Sequence, residues 1–142
     1  MKLLKNAISL IFKNPEGKTL TVKRSLTKDS FSGFWSLPST YLQENESIQD
    51  AVNRLAREKL GLKDIKILDD PIGIGVEERE KYTLHMEDYE VIKFEGDLNL
   101  NVKEYIEMRW VRPLELKELL TKEHGNQMGE CTRVYLKAEG YL

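Results

Sequence analysis

Cysteine is almost missing from this chain. Cys131 is the only one in 142 residues, which excludes an internal disulfide and any cysteine-built zinc cluster. A lone thiol of this kind reads as a small hydrophobe. Charge of one sign is lacking too: 22 basic and 24 acidic residues leave a net −2 with no dominant basic cluster, so neither bulk nucleic-acid binding nor an anionic membrane surface is indicated. Long apolar runs are missing as well. Ala7 to Phe12, near the start, is short, contains Ser9 and has no small-residue cleavage site after it. It reads as a first buried strand rather than a signal peptide, and the expected location is cytoplasmic, with no membrane association. No repeat, low-complexity tract or linker is visible, so a single domain over residues 1–142 is expected. A composition of 40% hydrophobic and 32% charged residues is that of a globular protein.

What is present has a clear order. After the Ala7–Phe12 strand, Asn14-Pro15-Glu16-Gly17 is a turn and Thr19–Arg24 the second arm of a hairpin. Ser25 to Gly33 is a loop leading to Trp35 and Leu37. Strands are expected at Ile65–Leu68, Ile72–Val76 (interrupted by glycines), Tyr82–Phe94 and Tyr105–Val111, with Glu77–Lys81 a charged turn. Arg112-Pro113 opens a helix near Leu114–Thr121. The last helix, near Gly129–Ala138, places Cys131, Val134, Tyr135 and Ala138 on one stripe. Periodicity alone therefore gives a mixed α/β fold.

The most informative stretch is residues 33–62, GFWSLPSTYLQENESIQDAVNRLAREKLGL. Ser47 with Asp50 three residues on is a capping-box start, and Gly61-Leu62 a helix stop. The helix between, about Ile48 to Leu60, has an apolar stripe at Ile48, Ala51, Val52, Leu55 and Ala56. Against it run Glu46, Asp50, Arg54 and Glu58 at steps of four, a column able to join opposite charges.

This stretch resembles the signature of the Nudix hydrolases, G-x5-E-x7-R-E-U-x-E-E-x-G-U with U a bulky aliphatic. Glu46, Arg54, Glu58, Gly61 and Leu62 fall on the matching positions, and Trp35 with Leu37-Pro38 on a W-x-L-P lead-in. The order of elements outside the box resembles the Nudix fold too, a mixed β-sheet sandwiched between α-helices. The resemblance implies that Glu46 and Arg54 pair and hold the loop against the helix, a structural role, with Gly61 the structural residue that closes the box. It also implies that helix glutamates bind a divalent metal, magnesium or manganese. Positions 55, 58 and 59 share an arc of roughly 100° on the helix. Here only Glu58 of the three is acidic: Leu55 and Lys59 replace the other two, while Thr40 and Ala56 depart from the box elsewhere.

Leu55 can simply widen the core stripe. Lys59 can lay its stem along the helix, or meet a substrate phosphate as a counter-charge in place of the metal. The resemblance further points to Glu104 and Glu107, before Trp110, as catalytic acids that supply an extra ligand or the general base. It also points to Arg24 as a phosphate contact suited to bidentate binding. Trp35 and Phe34 are expected in the core. The function so implied is hydrolysis of a nucleoside diphosphate linked to another moiety, through a degenerate metal box. The alternative is a non-catalytic module that keeps the cleft and binds a nucleotide-like ligand or a protein partner. A homodimer is a further expectation.

Overall fold

The computed structural model describes residues 2–142; Met1 lies outside the described residues. The first strand, β1 (Leu3–Ile11), is the centre of the fold. It runs antiparallel to the short β4 (Ser39–Tyr41) on one side and parallel to the long β7 (Tyr82–Glu95) on the other. The far edge of β7 is shared end to end by β6 (Gly73–Glu78) and β5 (Asp64–Ile67), both antiparallel to it. A second, antiparallel sheet joins β3 (Trp35–Ser36), β2 (Thr19–Arg24) and β8 (Tyr105–Val111) in that order.

Alternation along β1 decides which side each helix covers. Ile8, Leu10 and Phe12 face one way and Ala7 and Ile11 the other, because successive strand side chains point to opposite faces. The first face receives helix α1 (Ile48–Leu60), whose Ala51, Val52, Leu55, Ala56 and Leu60 are all buried. The second receives α2 (Pro113–His124) and α3 (Glu130–Ala138) through Leu116, Leu120, Val134 and Leu136, among others. The result is a mixed sheet sandwiched between helices. No helix is long and apolar enough to cross a membrane.

Helix α1 is bounded as its sequence indicates. Ser47 Oγ accepts from the Asp50 N–H at 3.1 Å, and Gly61 closes the helix at φ 70°. A Cβ at Gly61 would stand 2.8 Å from the Asn99 carbonyl oxygen, so this stop also leaves room for a passing chain.

Elsewhere the boundaries move for identifiable reasons. β1 starts at Leu3, not Ala7, because its exposed leading residues pair with β7 from Tyr82 onward. Gly73 and Gly75 do not interrupt β6, which runs on to Glu78. They lie beneath α3, where a Cβ on Gly75 would come 2.5 Å from Glu130 Oε2 and one on Gly73 2.8 Å from Val134 Cγ1. The charged turn therefore shrinks to residues 79–81. Strands β3 and β4, two and three residues long, fall inside what reads as loop.

Candidate functional site

A cleft of about 430 Å³ opens between the two sheets. Its walls come from the loop after β2, from β4, from Arg54 and Lys59 of α1, from Leu84 and Met86 of β7, and from the start of α3. The loop after β2 is folded on Arg24. The Arg24 carbonyl accepts from the Gly33 N–H at 2.9 Å, and its guanidinium Nε donates to the Ser30 carbonyl at 2.6 Å. This turn presents Phe31 and Phe34 to the cleft in an edge-to-face pair with centroids 5.2 Å apart. Phe34 also stacks on His124 at 3.5 Å. Trp35, by contrast, is buried in the core.

The loop before α1 is held by Arg54. Its Nε and Nη2 each donate at 2.9 Å to the two Glu46 oxygens, a bidentate pair. Nη2 also reaches the Tyr41 carbonyl at 2.7 Å, and Nη1 the Thr40 hydroxyl at 3.2 Å. The bond from Arg54 holds the Glu46 carboxyl below the usual carboxylate range, helped by the Gln43 backbone N–H. Thr40 thus adds a bond that a glycine at that position would lack.

The electrostatic centre lies beside this clasp. Lys59 Nζ sits 3.0 Å from Glu104 Oε1 and donates to the Ser39 carbonyl at 2.9 Å. Lys28 takes the other Glu104 oxygen. Tyr105, buried below, receives the Ser39 N–H at 3.1 Å and lies under the Lys59 ammonium, 5.9 Å from its ring centroid. Burial pulls the Lys59 pKa down, and the charges of Lys28 and Arg24 add to that; Glu104 opposes them incompletely. Burial pushes Glu104 the other way, yet its bonds to Lys28 and Lys59 hold it below the usual range, so it stays ionised. Lys28 and Lys59 thus share one carboxylate, and with Arg24 lining the same cleft the positive charge there is in excess.

The residues expected from the sequence are divided by this geometry. Arg24, Lys59 and Glu104 meet in the cleft. Leu55 is fully buried in the α1 core. Glu58 is exposed on the helix and does not line the cleft; its carbonyl accepts from Asn101 Nδ2 at 3.2 Å. Glu107 stands exposed on β8 opposite Lys23, 4.0 Å from Arg109. Glu46, Arg54 and Gly61 shape the loop and the helix end. Lys28 and Arg79 line the cleft without having been singled out. Lys28 lies in a polar loop with no periodicity, and only the chain crossing beneath it at Glu104 brings it into play.

The model of the NUDIX domain matches residues 3–133. The chain belongs to the NUDIX domain family. Solved structures similar to it include the Escherichia coli ORF135 protein (19% identity, TM-score 0.76, covering 97% of this chain and 89% of that one). A second is a MutT protein from Methanosarcina mazei Go1 (20% identity, TM-score 0.73, covering 96% and 91%). A third is the NUDIX domain of Shewanella oneidensis NrtR, crystallised with ADP ribose (18% identity, TM-score 0.61, covering 83% and 77%). At these identities the likeness is one of fold. Comparison with curated proteins finds no match.

NUDIX proteins generally work with a divalent metal. The donors in this cleft do not fit one. Magnesium requires a hard oxygen shell with one or two carboxylates free to bind it. Among the described residues no three acidic, histidine or cysteine side chains converge, and the one carboxylate at the centre, Glu104, is already taken by two ammonium groups.

Proposed function

We propose that this NUDIX domain is a binding module for a nucleotide-like anion, with its own cations supplying the counter-charge that a metal supplies elsewhere in the family. The observation that carries this reading is the Lys28–Glu104–Lys59 arrangement in a cleft that Arg24 also lines. A diphosphate entering there meets an excess of positive charge in a partly desolvated site, where charge-assisted bonds are strongest. Lys28 and Lys59 are already ordered by Glu104, which lowers the entropy cost of clamping the ligand. Phe31, Phe34 and Tyr41 offer aromatic surface for the rest of such a molecule, and the cleft volume suits a small ligand. The setting is a single cytoplasmic domain.

A second reading, hydrolysis of a nucleoside diphosphate linked to another moiety, draws on Glu104 alone. Of the two acidic residues that line the cleft, Glu130 has both oxygens bound by Arg133, and a carboxylate such as Glu104 within reach of water beside a phosphate is what base catalysis needs. In the resting arrangement both its oxygens are engaged.

The test is calorimetric titration with ADP, ADP-ribose and nucleotide sugars in EDTA, beside an assay for released phosphate with magnesium or manganese. The binding reading expects a complex in EDTA, no turnover, and affinity about tenfold or more weaker in each of Arg24→Gln and Lys59→Gln. Turnover that disappears in Glu104→Gln would replace it with the hydrolase.

A further inference from the structure

The cleft has a second polar end, built by the sheet that forms its floor. Ala7 of β1 and Leu84 and Met86 of β7 line that floor, and alternate residues carry the same face on to the rim. Lys5 continues the row from Ala7 and Tyr82 the row from Leu84, while Tyr41 of β4 is paired with Ala7. Arg79 joins them from the turn after β6, its backbone N–H donating to the Tyr82 carbonyl at 2.9 Å. Tyr41 and Arg79 line the cleft, with Tyr82 and Lys5 in contact behind them. The Tyr41 and Tyr82 hydroxyls lie 3.2 Å apart, and Arg79 Nη1 donates to that of Tyr82 at 2.6 Å. The Lys5 ammonium stands 4.4 Å from the Tyr82 ring centroid and 5.2 Å from that of Tyr41.

This corner favours negative charge. Glu77 engages Arg79 Nε, but Lys5 has no carboxylate partner among the described residues, so one positive charge is left over. Of the five N–H donors of a guanidinium, Glu77 and Tyr82 take one each, and the rest have no partner among the described residues. Burial works to raise the Tyr82 phenol pKa, yet the Tyr41 hydroxyl, Arg79 and Lys5 together hold it below its ordinary value. An oxygen bearing negative charge is therefore stabilised at this spot. Ser39, whose carbonyl holds Lys59, stands two residues before Tyr41 on β4. The two ends of the cleft are thus offset by about 7 Å along that strand, close to the span of one sugar.

We propose that Tyr41, Arg79, Tyr82 and Lys5 form a second oxyanion subsite, which rests on the cleft's binding a diphosphate at its other end. The ligand class is then a nucleotide or nucleotide sugar whose sugar carries a phosphate or carboxylate besides the diphosphate. The test is calorimetric titration of matched pairs, in EDTA and again with magnesium: ADP against adenosine 3′-phosphate 5′-diphosphate, and UDP-glucose against UDP-glucuronate. A preference of about tenfold or more for the extra anion is expected in at least one pair. Which pair shows it separates phosphate from carboxylate. Lys5→Gln and Arg79→Gln are each expected to bring the preference close to one, with the thermal melt of the Lys5 variant, changed at an exposed residue, unmoved. Lys59→Gln is expected to weaken both members of a pair alike. A preference seen only with magnesium keeps the subsite and removes the metal-free reading of the diphosphate end. No preference in the native protein, or one that survives both Lys5→Gln and Arg79→Gln, overturns the subsite alone. If no probe binds in either buffer, the subsite and the binding module fall together.

Discussion

Asp88 is a carboxylate in the wrong solvent, and its cost can be worked out. It sits in the middle of β7 next to Ser9 of β1, completely buried, and neither of its oxygens has a hydrogen-bond partner of regular geometry; nor has the Ser9 hydroxyl. Burial pushes its pKa from 3.8 up to about 8, the nearby Ser9 hydroxyl working against this and the negative Glu130 with it. At neutral pH the folded protein therefore holds a proton there that the unfolded chain has released. Between pH 3.8 and 8 the folded state binds more protons, so this group makes stability fall as pH rises, by about 1.4 kcal/mol per unit. At pH 7 the penalty is about 4 kcal/mol on this scale. Asp88→Asn keeps the shape and removes the ionisation. Urea unfolding of parent and variant at pH 5, 6, 7 and 8 isolates the effect, because the other groups cancel in the difference. The variant is expected to gain on the parent steadily across this range. A difference that does not change with pH would show that Asp88 ionises normally and would refute the reasoning.

Other outcomes follow from the packing and the clasp. Leu55→Ala, at a fully buried site of the α1 core, is expected to cost about 3 kcal/mol in denaturant unfolding, and Leu55→Glu to cost more without creating metal affinity in calorimetry. Arg54→Ala breaks four hydrogen bonds to Glu46, Tyr41 and Thr40. It should lower stability by about 2 kcal/mol and loosen residues 40–46 toward proteolysis. Gly75→Ala forces a methyl group to 2.5 Å from Glu130 and Val134, with an expected loss of about 1–3 kcal/mol in thermal unfolding.

Much of the scaffold can be read from residues alone, and the reason is local. Ser47, Asp50 and Gly61 cap α1 through contacts within one turn, so the span Ile48–Leu60 follows from spacing. β2 and β8 likewise follow from apolar content between turn residues. β6 is less legible, since its glycines look like breaks until α3 is laid over them. The site is the hardest part. Helical spacing groups Leu55, Glu58 and Lys59 on one arc, yet burial sends Leu55 into the core, leaves Glu58 in solvent and turns Lys59 into the cleft. An arc of roughly 100° is wide enough to span all three environments. The partners that give Lys59 its role, Glu104 and Lys28, arrive from distant parts of the chain, and no periodicity links them to it.

The central claim is that protein cations, not a divalent ion, hold the ligand's negative charge. Titrating ADP-ribose into the protein with EDTA and again with magnesium measures this directly. Equal affinity in both, lost when Lys59 is changed to Gln, is the expected result; a complex that forms only when the ion is supplied would contradict it.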